Sequence, residues 1–329
     1  MYESFPDICW SARRFCLEAA AFGVSDYSKK VLEIGFGNGD FLVHLAQSYG
    51  TETLVLGMEV SAVCVLKAAK RLSSGKISNA RVVLGDARYL LEKCVPPSSL
   101  DAIYMNFPCP WPKNRHAFRR VTEGRFPESL SASLTEGGKF TLVTDEEWYA
   151  LEARGKLSLS PLLEIASFEV NPALELTTKY GSKWKAMGKS IYRLTVQKKS
   201  VYGDVSTSHQ PENPEDIMAM HSKLFISDPK RAKQRAEELV GKTGAAEKFH
   251  WSFKAVYWSS EGHALLKTIT SDEGFEQTFF FRLVFLENEC LVKLEDAGAP
   301  LHTPAVRLAM EAAVGYLSDE PEQVFQFRG

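Results

Sequence analysis

The sequence predicts a Rossmann-like α/β domain with a seven-stranded, mostly parallel sheet, followed by a smaller C-terminal α+β domain. Three observations predict it. Apolar strand-like runs alternate with helical segments from about residue 30 to 145, the pattern of a parallel sheet. A glycine turn joins the first of these strands to its helix. Beyond residue 200 the composition turns to Ser, Thr, Asn, Pro and Gly, and then to aromatic strands with short turns. At 329 residues the chain exceeds a typical single domain. The expected division is a domain over 1–200, a linker over 201–214 and a second domain over 215–329.

Residues 1–28 read as a helical lead-in, with Trp10, Phe15, Leu17 and Phe22 as packing residues. Lys30 to Gly39 reads as a buried strand and a glycine turn, with a helix starting near Phe41. Glycines admit positive φ and let backbone approach a ligand closely. Glu33 stands just before Gly35, Gly37 and Gly39. A carboxylate there disfavours a pyrophosphate and suits a ligand with an ammonium or sulfonium group. Leu54 to Val60 is a second strand with Glu59 at its end, where an acid can hold both ribose hydroxyls. Arg81 to Ala87 is a third, ending in Asp86 and Ala87, placed to meet an adenine. A single acid at a strand end is commonly a helix cap. Three in successive β-α units point to S-adenosylmethionine (SAM) and to the class I SAM-dependent methyltransferase fold.

A fourth strand, Leu100 to Met105, leads through Asn106 into Phe107-Pro108-Cys109-Pro110-Trp111-Pro112-Lys113. Prolines at this density exclude helix and central strand, so the stretch is a stiff loop at a strand end. The cations after it, Lys113, Arg115, Arg119 and Arg120, are expected to contact phosphates, with Arg115 and Arg119 on one helical face. Helix 126–135, a turn at Glu136-Gly137-Gly138 and a strand over 139–143 follow, ending at Thr144-Asp145. Leu162 to Val170 and Ser190 to Gln197 read as a closing antiparallel pair.

Charge divides between the two parts. Residues 1–200 carry 26 Lys+Arg against 21 Asp+Glu, a net of +5, and the remainder 13 against 20, a net of −7. A nucleic-acid footprint therefore belongs to the N-terminal part. No apolar run approaches the roughly 20 residues of a membrane span, and the first residues lack a signal-peptide layout. Cys9, Cys16, Cys64, Cys94, Cys109 and Cys290 show neither metal-ligand spacing nor a disulfide framework. A reducing, cytoplasmic setting without structural metal is expected.

In the C-terminal part, Pro229 to Val240 reads as a charged helix. Phe249–Ser260, Ala264–Ser271, Gln277–Leu286 and Cys290–Glu295 read as strands, and Pro304–Leu317 as a closing helix. Most of the aromatics there are expected in the core. The net negative charge favours packing or self-association, as in a homo-oligomer, over a general phosphate platform.

Glu33-Ile34-Gly35-Phe36-Gly37-Asn38-Gly39, Gly57-Met58-Glu59, the Asn106 to His116 string and Thr144-Asp145 together resemble the TrmB family, the bacterial tRNA (guanine-N7)-methyltransferases. The resemblance covers roughly residues 30–198. It implies methyl transfer from SAM to N7 of a guanine in the tRNA variable loop. It also implies that Glu33, Glu59 and Asp86 hold SAM, and that Lys113, Arg115, Arg119, Arg120, Asp145 and Thr178 line the RNA and guanine site. Two positions depart from the family pattern: Cys109 and Gly181 stand where the family carries acids. Cys109 and Asp145 are then the residues expected at the reacting base. Guanine N7 has a lone pair and no proton, so its methylation needs no general base, and selection for guanine should weaken before transfer stops. Two other readings stay open in the sequence. Pro108-Cys109 resembles the Pro-Cys nucleophile of cytosine-C5 methyltransferases, and a non-catalytic paralogue that binds RNA or SAM fits the loss of the acids.

Overall fold

The computed structural model describes residues 4–19, 27–173, 189–200, 220–295 and 300–319. The chain divides into two compact units, Met1–Glu212 and Asn213–Gly329. The expected linker lies outside the described residues.

The first unit is built on an eight-stranded sheet. Its strands are β1 (Cys9–Ser11), β2 (Lys29–Ile34), β3 (Thr53–Glu59), β4 (Ala80–Leu84), β5 (Leu100–Asn106), β6 (Leu134–Thr144), β7 (Leu163–Val170) and β8 (Tyr192–Lys198). Their spatial order is β1-β4-β3-β2-β5-β6-β8-β7. The pairs from β1 to β6 are parallel, whereas β8 runs antiparallel between β6 and β7. This is the class I methyltransferase sheet with one added edge strand. Helices α1 (Ala12–Ala19), α2 (Asp40–Tyr49), α3 (Ala62–Ser74), α4 (Ala87–Lys93), α5 (Phe126–Ser133) and α6 (Glu147–Ser158) connect the strands. Parallel strands covered on both faces become near-continuous apolar runs. Val31, Leu32, Val55, Leu56, Val82 and Val83 are accordingly fully buried.

Strand order reverses at β2, from which the chain proceeds to β3 on one side while β5 flanks the other. In open α/β sheets a ligand crevice forms at that switch point, beyond the carboxyl ends of the strands. Glu33, Glu59, Asp86, Asn106 and the proline loop all belong to those ends.

Four expectations for this unit need correction. The lead-in is not wholly helical, because Cys9–Ser11 pairs with Val82–Leu84 as an edge strand. Such a short strand gives no alternation to read. Second, helix α5 stops at Ser133, and Glu136-Gly137-Gly138 lies inside β6, where the pairing with β5 shifts register between Leu100 and Ala102. Third, the basic segment is a 3-10 helix, Asn114–Arg119, rather than an α-helix, so four-residue spacing does not align Arg115 with Arg119. Fourth, Cys16 and Cys94 form a disulfide between α1 and the end of α4. Their separation of 78 residues hides this in the sequence; packing of α1 beside α4 brings them together.

The second unit carries a six-stranded antiparallel sheet in the order β10-β11-β12-β13-β14-β9. Its strands are β9 (His221–Phe225), β10 (Thr243–Ala246), β11 (Phe249–Trp258), β12 (Ala264–Asp272), β13 (Phe275–Phe285) and β14 (Glu289–Leu294). Helices α7 (Pro229–Glu238) and α8 (Pro304–Leu317) pack on one face, where Phe253, Leu266, Phe279 and Phe281 form the core with Ala236, Leu239, Val306 and Met310. The two edge strands β9 and β10 were not legible as strands, being short and without an apolar alternation. Phe253, Phe279 and Phe281 are core as expected, while Tyr257 and Trp258 are 53% and 38% exposed. Among the described residues, no helix is long and apolar enough to cross a membrane.

Candidate active site

The glycine turn takes its shape from distinct local demands. Gly35 and Gly37 have φ of 69° and 55°, and a Cβ at either would meet nothing within 4 Å. Their backbone therefore borders open space that a ligand can fill. Gly39 serves packing instead. It ends the turn before α2 at φ 81°, and a Cβ there would stand 2.7 Å from the Ala68 side chain of α3.

Glu59, at the tip of β3, ties this turn to the next helix. Its Oε2 accepts from Gly37 N–H at 3.1 Å and its Oε1 from Ser61 N–H at 3.0 Å. Val60, beside it, is 70% exposed and offers apolar surface at the same strand end. Its signal in the sequence is slight, an apolar residue directly after a strand-end acid.

Glu33 is 2% exposed at the end of β2, and its Oε2 has no hydrogen-bond partner. Burial pushes its pKa up to about 8; Asn106 offsets part of the rise, and Glu59 and Asp40 add to it. Asn106, at the end of β5, leaves its own buried Nδ2 without a hydrogen-bond partner. A buried carboxylate and a buried amide in this condition cost stability unless a ligand completes them. With the open space at Gly35 and Gly37, they fit the amino-acid end of SAM, which carries an ammonium and a carboxylate.

Asp86 plays the capping role that a lone strand-end acid commonly plays. Its Oδ1 accepts from Arg88 N–H at 2.9 Å at the start of α4, and Arg88 Nη2 lies 2.5 Å from its Oδ2. Arg88 also donates to the Phe118 carbonyl. It thereby links the third strand end to the basic 3-10 helix, a contact the sequence did not disclose. Ala87 is buried as the first residue of α4.

The proline loop departs from relaxed backbone at two non-glycine residues, Phe107 (φ 49°) and Trp111 (φ 45°). Such conformations persist where surrounding structure fixes them; Phe107 N–H donates to the Val143 carbonyl of β6, and Arg120 holds the loop at Trp111. Contrary to the expectation that it contacts phosphate, Arg120 is 5% exposed. Its Nε donates to the Pro110 carbonyl at 3.1 Å, its Nη2 to the Trp111 carbonyl at 3.1 Å, and its Nη1 to Glu152 at 2.9 Å. The guanidinium is consumed by the loop and α6. Lys113, Arg115 and Arg119 remain toward solvent, with Arg119 5.0 Å from the Trp111 ring centroid and Arg115 donating to His116. Cys109 is a free, exposed thiol.

Asp145, past the end of β6, is held by Lys189, whose Nζ lies 2.8 Å from its Oδ2 and 3.6 Å from Glu146. Glu146 also accepts from Trp148 Nε1 at 3.1 Å. Lys189 was missed in the sequence because it lies 44 residues further on. Thr178 and Gly181 lie outside the described residues. Among the described residues, no cluster of His, Cys, Asp or Glu could hold a metal ion.

Comparison with known proteins agrees with this arrangement. Residues 28–194 match a family model described as a putative methyltransferase. The tRNA (guanine-N(7)-)-methyltransferase of Thermotoga maritima is 37% identical over 284 residues, covering 86% of this chain and 87% of that protein. The protein of the same name from Thermus thermophilus is 42% identical over 298 residues, covering 90% and 91%. That from Deinococcus radiodurans is 29% identical, covering 88% and 89%. A likeness of 298 residues is longer than Met1–Glu212, so it runs into the second unit. With the sheet order, the glycine turn and these relatives in agreement, the chain belongs to the TrmB family of tRNA (guanine-N7)-methyltransferases.

Proposed function

We propose that this chain transfers the methyl group of SAM to N7 of a guanine in the variable loop of tRNA. The observation that carries the reading is the conjunction at the carboxyl ends of the central strands. An incomplete buried Glu33–Asn106 pair and an open glycine turn lie at the same strand ends as a stiff aromatic loop followed by exposed cations. SAM supplies an electrophilic methyl on a sulfonium when bound. Glu33 and Asn106 would hold its amino-acid end, Glu59 its ribose, and Val60, Asp86 and Ala87 its adenine. Lys113, Arg115 and Arg119 would hold phosphates of the RNA.

Guanine N7 presents an in-plane lone pair without a proton, so the chain's main task is to hold that nitrogen in line. The alkylated ring becomes cationic, and a nearby carboxylate lowers the cost of that charge. Asp145, fixed by Lys189, is the acid supplied at the end of β6, while Cys109 supplies none on the proline loop. The cytosine-C5 reading gains no support from the exposed position of Cys109, and the relatives named above carry the guanine-N7 activity in their names.

The test is transfer from labelled SAM to unmodified tRNA, with the product nucleoside identified by mass spectrometry. The expected product is 7-methylguanosine. A 5-methylcytidine product lost in Cys109→Ala would install the Pro-Cys reading instead. SAM binding without transfer to any RNA would make the chain a binding paralogue.

A further inference from the structure

Alternation along the strands of the second unit sends its core residues toward α7 and α8, and the intervening residues build the opposite face. The pairing register arranges that face in rows. One row runs Tyr257, Leu265, Arg282, Lys293 and His221 across β11, β12, β13, β14 and β9. In the next, Lys267 stands opposite Phe280. Tyr257 is 53% exposed, and its ring meets that of Phe280 edge-on, with centroids 6.2 Å apart.

The charges of this face do not follow those of its unit. Arg282 and Lys293 are directly opposite one another, an arrangement that weakens a sheet by like-charge repulsion. Glu295 lies 2.6 Å from Arg282, and Glu289 lies 2.7 Å from Lys223. Glu276 is the remaining acid contributed by the strands to this face. Lys267 and Lys293 form no ion pair among the described residues. Two uncommitted lysines thus stand beside the exposed Tyr257 ring and the half-buried Phe280 ring, in a part of the chain with a net charge of −7.

We infer that this face binds an unpaired stretch of RNA, stacking bases on Tyr257 and Phe280 and holding phosphates on Lys267 and Lys293. Rings interleaved with cations on an antiparallel sheet suit single-stranded RNA, whose bases are free to stack on protein. Duplex RNA keeps its bases stacked internally and leaves the rings without a partner. A second copy of this chain is the poorer occupant. A two-fold contact between these faces would set their cations against one another. The inference rests on the tRNA reading above for the identity of the RNA.

The experiment measures binding of an unmodified tRNA transcript to the full chain by fluorescence anisotropy over a range of salt. Tyr257→Ala should weaken binding by at least about fivefold, the low end for a lost stacking contact, and Tyr257→Phe should retain it. Lys267→Gln with Lys293→Gln should reduce the slope of log affinity against log salt by about 1.4, or about 0.7 per phosphate contact on single strands. Circular dichroism and melting identify folded variants. Folded variants with the wild-type affinity and salt slope would overturn the proposal. So would a wild-type dimer that Tyr257→Ala converts to monomer without loss of RNA affinity. Transfer itself is scored separately. Tyr257-dependent binding without methylation sinks the catalytic reading alone, whereas methylation with Tyr257-independent binding sinks this one alone.

Discussion

Glu33 shows how a single residue can couple fold and ligand. Its pKa is raised to about 8 chiefly by burial, so between the ordinary glutamate value near 4.5 and about 8 the folded chain holds a proton that the unfolded chain has released. The stabilising contribution of the protonated form is present at low pH and is lost as pH rises through that window. Melting of the cofactor-free chain should therefore fall from pH 5 to 8 more steeply in the wild type than in Glu33→Gln. A cationic ligand reverses the preference, because it favours the carboxylate. SAM affinity, measured by calorimetry, should tighten toward pH 8 in the wild type and should be weaker and flatter with pH in Glu33→Gln. Cys109 invites a second test at this scale. Cys109→Asp restores an acid on a loop already stiffened by Pro108 and Pro110, and kcat/KM for guanine-N7 transfer should rise about tenfold or more. An unchanged value would show that the acid is not what this site lacks.

At the scale of elements, the proline loop stands on Arg120 rather than on its prolines alone. Phe107 and Trp111 hold positive φ, and Arg120 secures two loop carbonyls to Glu152 of α6. Arg120→Ala leaves those carbonyls without their donor and Glu152 with Lys156 alone, and should cost about 2–3 kcal/mol of stability. Arg119→Ala removes an exposed cation and should change stability by no more than about 0.5 kcal/mol, while lowering tRNA affinity and its salt dependence. Chemical denaturation paired with tRNA binding separates the two; identical effects would contradict the division drawn between them. Glu59 links elements in the same manner, joining the glycine turn and the start of α3 to β3. Glu59→Ala should weaken SAM binding at least about tenfold in calorimetry, as expected for lost charged hydrogen bonds.

At the scale of the whole molecule, each unit has its own core, and the cores share no residue. Phe281 is fully buried among Phe279, Leu266 and Leu294 in the second unit. Phe281→Ala should therefore destabilise that unit by about 3–5 kcal/mol and leave SAM affinity within twofold, as read by calorimetry below the first melting transition. A parallel collapse of SAM binding would mean that the units do not hold their structures independently. The charge of a face is set by alternate residues of several strands and not by a sum over a segment, so Arg282 and Lys293 share a row in a part of the chain with a net charge of −7.

What the sequence determined by itself was whatever rests on neighbours along the chain. Buried parallel strands, the glycine turn, the acids at successive strand ends and the stiff proline loop are written in contiguous runs. The resemblance legible in the sequence rests on those same runs. Tertiary structure alone decided how distant groups meet. It turned Arg120 inward to Glu152, gave Asp145 a partner 44 residues away in Lys189, joined Cys16 to Cys94, and left Glu33 buried beside an equally incomplete Asn106. It also placed Tyr257 in one row with Arg282 and Lys293. The physical reason is common to all of these. Periodicity reports which side of an element is apolar, but the partner of a charge depends on which elements the sheet order and register bring together, and no local pattern carries that.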